Sequence, residues 1–229
     1  DKSTQDLMQK LLSNDETAIP EKLLATLRPY QERGYAWMYK NSRLGFGSII
    51  ADDMGLGKTL QVITTLLRLK VDGELNDKNK AIIVVPTTLL TNWSKEIIKF
   101  APSLTSHIYH GQNRSLEPLK EADILITTYG VARSETTKRK KQKWLVLVID
   151  EAQNIKNPKS AQAKAIYALK APHRIAMTGT PIENKLEELY SIMQVVDQFR
   201  WSSHVELAGK FSRSHMCAYW LGTFGCGKH

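Results

Sequence analysis

The sequence predicts an α/β fold, a parallel sheet covered by helices on both faces, and three observations predict it. Short apolar runs alternate with helix-length amphipathic stretches along most of the 229 residues, as they do in parallel sheets buried on both sides. One run, Ser48–Ala51, breaks into a glycine-bearing loop that opens a helix at Lys58-Thr59, the strand–loop–helix order that a phosphate-binding loop requires. Another, Trp144 to Ile149, is apolar throughout and ends in Asp150-Glu151. Two acids there face the crevice in which open α/β sheets bind ligands.

Taken in order, residues 1–24 read as a loosely attached amphipathic extension, residues 25–197 as the folded domain, and residues 198–229 as an atypical tail. Apolar spacing predicts a helix near Pro29–Asn41, then the strand Ser48–Ala51. A helix over Lys58–Lys70 follows, with Leu60, Ile63, Leu66 and Leu67 at helical spacing. The polar stretch Lys70–Lys80 is a loop. Ala81–Val85 is a strand, and Leu89–Phe100 a helix in which Trp93 has the spacing of a core residue. His107–Tyr109 and Ile124–Thr127 are strands flanking a helical stretch at Leu116–Glu121. Leu145–Ile149 is the central strand. A helix over Ala161–Leu169, a strand over Arg174–Met177 and a helix over Leu186–Val196 complete the pattern.

The loop carries the clearest chemistry. Glycines let backbone N–H groups approach a polyphosphate, the helix N-terminus adds positive potential, Lys58 reaches terminal phosphates, and the Thr59 hydroxyl suits Mg²⁺. The common pattern has a glycine five places before the Gly-Lys pair, where this chain has Asp52; a plain structural turn is the alternative. Asp150 and Glu151 answer that alternative, because unpaired acids at a buried strand end are costly. Beside a phosphate loop, Asp150 would hold the Mg²⁺ hydration shell and Glu151 would orient and deprotonate an attacking water. Pro86-Thr87 and Thr127-Thr128 stand where strands yield to helices or turns. Their hydroxyl and N–H groups suit either local capping or contact with a nucleic-acid backbone.

Together these motifs resemble the Swi/Snf-type ATPases of helicase superfamily two. Leu27 to Trp37 resembles that family's opening motif, and Ala51 to Thr59 its own phosphate loop, in which an acid replaces the first glycine. Val85-Pro86-Thr87 with Asn92-Trp93, Ile126 to Tyr129, Asp150 to Lys156-Asn157, and Met177 to Pro181 with Asn184, Glu188 and Leu189 follow in family order. Gln153 departs from the His of many relatives, as in prokaryotic members. The resemblance implies a RecA-like phosphate-loop lobe that binds ATP through Gln31, Asp53, Met54, Gly55, Leu56, Gly57, Lys58, Thr59 and Leu60. Thr59 and Asp150 would serve Mg²⁺, and Lys58 and Glu151 catalysis. A glutamine amide matches adenine N6 and N7, so Gln31 selects ATP over GTP. Pro86, Thr87, Thr127 and Thr128 become the expected DNA contacts, and Gln153, Thr178, Gly179 and Thr180 the segment coupling the two sites. The implied partners are double-stranded DNA, a second RecA-like lobe in cis that brings arginines, and a DNA-bound protein to be remodelled.

Composition agrees with this. A net charge of +9 and pI of 9.4 suit a polyanionic partner. Two cysteines argue against a disulfide scaffold, and no apolar run has membrane-spanning length. The expected location is the nucleoid-bearing cytoplasm of a prokaryote or the nucleus of a eukaryote. The chain does not begin with Met, which suggests a fragment or processed protein whose second lobe lies elsewhere. The run Lys138–Lys143 is either a solvated loop or a DNA patch. His215, Cys217, Cys226 and His229 match no standard zinc spacing. The rival readings are a strand-separating helicase, a phosphate-loop kinase or GTPase, and a regulatory module that binds nucleotide without hydrolysing it.

Overall fold

A computed structural model describes residues 17–52, 55–135, 143–179 and 186–196, with residues 186–190 as backbone alone. Within them, the strands β1 (Ser48–Ile50), β2 (Lys80–Val85), β3 (Ser106–Tyr109), β4 (Ile124–Thr128), β5 (Trp144–Ile149) and β6 (His173–Met177) form one sheet. The order is β1-β6-β5-β2-β4-β3, and every pairing is parallel. The helices are α1 (Pro29–Arg43), α2 (Lys58–Val71), α3 (Leu90–Phe100), α4 (Tyr129–Ser134), α5 (Ala161–Tyr167) and α6 (Leu186–Val196).

The alternation of side chains along each strand divides the core into two layers. Ala81, Ile83 and Val85 of β2 pack with Tyr35, Met38, Ile63, Leu66 and Ile97, so α1, α2 and α3 cover one face. Ile82 and Val84 pack with Ala132, Ile166, Ile192 and Val195, so α4, α5 and α6 cover the other. All six residues of β2 are buried. At about 1.5–3 kcal/mol for each large aliphatic side chain removed from water, such strands hold the layers together.

Because every strand runs the same way, their C-terminal ends share one edge. The register places Ile50 beside Met177, Val84 beside Ile149 and Val85 beside Thr128. The loop after β1, the Asp150 turn after β5, Thr178 after β6 and Pro86 after β2 therefore emerge together. Arg174 supports this edge from below. It is buried at the start of β6, and its guanidinium donates to the carbonyls of Ala171, Leu169 and Val195. Burial lowers its pKa to about 10.

Four features depart from the expected elements. Leu116–Glu121 supplies only a 3₁₀ turn, Glu117–Lys120, with Pro118 tolerated in its first turn. The expected helix at Leu89 is preceded by a 3₁₀ turn, Thr87–Leu89, and regular helix starts at Leu90. Helix α4 was not anticipated; the Thr128 hydroxyl caps it by accepting from the Val131 N–H at 3.3 Å. The N-terminal segment is not loose throughout. Leu23 is buried, Leu24 N–H donates to the Phe100 carbonyl at 2.7 Å, and Tyr35 donates to the Ala18 carbonyl at 2.9 Å.

Candidate nucleotide site

The loop after β1 turns on two glycines in the left-handed region, Gly55 at φ 84° and Gly57 at φ 71°. Gly57 is doubly constrained, because a Cβ there would lie 2.3 Å from Gln31 Nε2. Helix α2 opens immediately after it at Lys58. Tyr30 and Gln31 of α1 both donate to the Leu56 carbonyl, at 3.0 and 3.2 Å, and Gln31 also accepts from the Arg28 N–H at 2.9 Å. Gln31 is thus buried with both amide atoms engaged by the protein, and its tie to this site runs through the loop. Lys58 Nζ donates to the Asp52 carbonyl at 2.5 Å, which draws the ammonium across the loop.

Two strands away, β5 ends in a strained turn. Asp150 N–H extends the ladder to the Val84 carbonyl. Glu151 then adopts φ 51°, ψ 57°, the only non-glycine residue with positive φ among those described. A β-carbon in that region costs about 1–2 kcal/mol. Neighbours hold the turn. Tyr129 Oη donates to the Asp150 carbonyl at 2.5 Å and lies 3.3 Å from that of Glu151, while Asn154 donates to the Glu151 carbonyl through both its backbone and side-chain amides. Burial, followed by the charges of Asp150 and Glu151, pushes the Tyr129 phenol well above its usual range.

Both Asp150 oxygens are engaged. Oδ1 accepts from the Glu151 N–H at 2.8 Å and Oδ2 from the Trp93 indole at 2.8 Å. Burial pushes the carboxyl up from its ordinary value. The indole and amide donors pull it down, the Glu151 charge adds to the rise, and Lys58 opposes it. Gln153 Nε2 donates to the Glu151 carboxylate, and Thr178 Oγ1 donates to Gln153 Oε1 at 3.1 Å. Thr178 N–H in turn donates to the Ile50 carbonyl at 2.9 Å, just before the phosphate loop.

These elements enclose an open cavity of about 360 Å³. The loop contributes Gly55, Gly57, Lys58 and Thr59; α3 contributes Asn92, Trp93 and Glu96, with Leu89 before them; Asp150, Glu151 and Met177 close the far side. Glycine N–H groups, an ammonium, a hydroxyl and two carboxylates around one cleft form a phosphate and hard-cation environment. Of the expected site residues, the structure brings Gly55, Gly57, Lys58, Thr59, Asp150 and Glu151 to this cavity. Gln31, Leu56 and Leu60 lie on the supporting side. Asp53, Met54 and Thr180 lie outside the described residues, as do residues 138–142 of the basic run, whose last member Lys143 is exposed, and the cysteine- and histidine-bearing tail.

The four expected DNA-contacting residues divide into two pairs. Thr87 is exposed and Pro86 half-buried. The cap positions of the 3₁₀ turn and of α3 belong to Pro86 and Leu89, so Thr87 does not occupy the capping position that the sequence allowed it. Thr127 is fully buried with its hydroxyl donated to the Tyr109 carbonyl at 3.0 Å, and Thr128 is buried with its hydroxyl on the α4 cap. Local bonding therefore accounts for that second pair, and the geometry withdraws Thr127 from direct contact. Sequence reasoning missed Glu96, quoted Tyr129 and Asn92 only as parts of family motifs without a role at the site, and read Trp93 as a core residue. A hint was available for the aromatics, since a buried Trp or Tyr needs a partner for its polar atom.

Among solved structures, the chain is similar to the Sulfolobus solfataricus SWI2/SNF2 ATPase core in complex with dsDNA, at 43% identity and a TM-score of 0.76 over 85% of this chain and 41% of that one. It is also similar to the Sulfolobus solfataricus SWI2/SNF2 ATPase core domain, at 37% identity and a TM-score of 0.78 over 92% of this chain and 45% of that one. Among curated proteins, it is 38% identical over 205 residues to YwqA of Bacillus subtilis, which bears an ATP-dependent helicase/translocase name. It is 33% identical over 208 residues to the chromatin-remodeling ATPase INO80 of Cryptococcus neoformans. The alignments cover 86% and 85% of this chain but only 22% and 12% of those proteins. The SNF2-related domain matches residues 30–216. By that match and by its RecA-like sheet, the chain belongs to the SNF2-related family.

Proposed function

We propose that the chain is the ATP-binding lobe of a DNA-dependent ATPase that moves along double-stranded DNA and remodels protein–DNA complexes. The observation that carries this reading is the cavity in which the Gly55–Thr59 loop faces Asp150 and Glu151. The loop N–H groups and Lys58 bind the phosphates of ATP, and Gln31 fixes the loop against α1. Thr59 and Asp150 fit Mg²⁺ through hard oxygen donors at the mouth of a phosphate-sized cleft. When bound, the ion neutralises charge developing on the phosphate oxygens. Glu151 orients a water and takes its proton, held by its Gln153 bond. The chain from Glu151 through Gln153 and Thr178 to Ile50 supports coupling between hydrolysis and movement of the loop.

Duplex DNA as the partner is supported by likeness to a DNA-bound core, by the +9 charge and by exposed Thr87 at the active edge. A second lobe supplies the arginines that complete the site. The test is phosphate release by the full-length protein, with and without duplex, beside its Glu151→Gln variant. DNA-stimulated release that disappears in Glu151→Gln is the expected result. Tight ATP binding with no turnover under either condition would assign the chain to the non-hydrolysing class, and efficient strand displacement would assign it to the strand-separating helicases.

A further inference from the structure

Trp93 stands one helix away from the phosphate loop, yet its one polar atom ends on the acid expected to serve magnesium. The side chain is 1% exposed, and its indole N–H reaches Asp150 Oδ2 at 2.8 Å. The other Asp150 oxygen accepts from the Glu151 N–H at 2.8 Å. A carboxylate held at both oxygens has a fixed plane, with one lone pair on each oxygen still directed elsewhere. Indole is donor-only, so it keeps one Oδ2 lone pair occupied and cannot exchange roles with Asp150. Trp93 also lines the cavity with Thr59 and Asp150, which puts the indole at the same cleft as both oxygen donors expected to serve the ion. Packing alone would be served equally by a ring without the nitrogen.

We propose that Trp93 is a positioning residue for magnesium, orienting the Asp150 carboxylate through its indole N–H. This rests on the reading of Asp150 as a magnesium ligand. Residues that hold a ligand's orientation typically contribute about 10–100-fold to metal affinity, and the effect should fall on the metal rather than on the nucleotide.

The test follows binding of a fluorescent, non-hydrolysable ATP analogue to the full-length protein across a Mg²⁺ series that begins in chelator. Trp93→Phe keeps an aromatic ring and removes the donor. It is expected to raise the Mg²⁺ concentration for half-maximal tightening about 10–100-fold, while affinity measured in chelator stays as in wild type. Site-specific replacement of Trp93 by 3-benzothienylalanine preserves the indole shape without the N–H, and it should reproduce the same shift even where the Phe variant folds poorly. A wild-type Mg²⁺ response in the benzothienyl protein overturns the proposal, because the hydrogen bond would then be dispensable. Asp150→Asn separates the two ideas. If it shifts the Mg²⁺ response and Trp93 replacement does not, only the role of Trp93 fails. If Asp150→Asn leaves the response unchanged, the magnesium reading fails and takes this proposal with it.

Discussion

Lys58 donates to the Asp52 carbonyl and feels the Asp150 charge, and a bound polyphosphate offers it charge-assisted bonds in addition. Lys58→Ala is expected to cost about 1.5–3 kcal/mol of ATP binding, roughly ten- to a hundredfold, as for lost hydrogen bonds to charged groups. The side chain sits at a half-buried helix start rather than in the core, so the melting temperature should barely move. Calorimetric titration with a non-hydrolysable analogue beside a thermal melt checks both parts; wild-type affinity would remove the phosphate-loop assignment. At this scale Lys58, Thr59, Asp150 and Glu151 were legible because their chemistry is written into adjacent positions. Trp93 and Tyr129 were half-legible. Their burial follows from apolar spacing, but the destination of a buried donor depends on which strand end lies opposite, and local sequence does not encode that.

Helix α4 shows how an element escapes pattern reading. It has six residues, too few for a helical period to register, and its cap belongs to a strand. If Thr128 is a cap, Thr128→Ala should destabilise the protein by about 1 kcal/mol and Thr128→Ser should restore most of it. Denaturant unfolding measures this, and DNA anisotropy on the same proteins should show little change. A loss of DNA binding at unchanged stability would reverse that assignment. Arg174 joins the start of β6 to the chain after α5 and to the end of α6 by three carbonyl bonds. Arg174→Met leaves those acceptors buried and short of donors. The expected cost is about 2–4 kcal/mol, seen as a melting point lower by roughly 5–15 °C. The strands, by contrast, were read to within a residue or two, most plainly where Ala81–Val85 and Trp144–Ile149 run without polar interruption through the middle of the sheet.

Parallel pairing was legible for the whole molecule because the connections are helix-length, whereas the order β1-β6-β5-β2-β4-β3 was not. Order depends on which apolar faces meet across long separations, as where Gly47 lies so near Val196 that a Cβ would sit 2.2 Å from its carbonyl oxygen. Two expectations belong at this scale. DNA binding should be independent of sequence and should weaken about tenfold or more between ~50 and ~200 mM salt, as charge-driven contact to phosphates does. Anisotropy with two unrelated duplexes tests it, and a sequence preference surviving high salt would refute it. The 229-residue chain by itself should release phosphate slowly even with DNA. Its described residues form one lobe, and an arginine supplied from a partner contributes about 10³–10⁵ in rate in other phosphate-loop enzymes. Brisk turnover by this chain alone would defeat the two-lobe reading.

Glu151 carries a longer consequence. Its left-handed backbone is held from both sides by Tyr129 and Asn154, so the fold carries a strained acid where a relaxed residue would fold better. Heat tolerance and turnover should therefore pull in opposite directions at this one position. Asn accepts the left-handed region more readily than Glu, and Glu151→Asn should melt about 2–4 °C higher while losing hydrolysis. A search for thermostable variants that does not also screen for activity should accumulate substitutions here and quietly produce inactive proteins. Differential scanning calorimetry of Glu151→Asn against wild type gives the sign directly; an unchanged or lower melting point would mean that the turn's partners have already absorbed the strain.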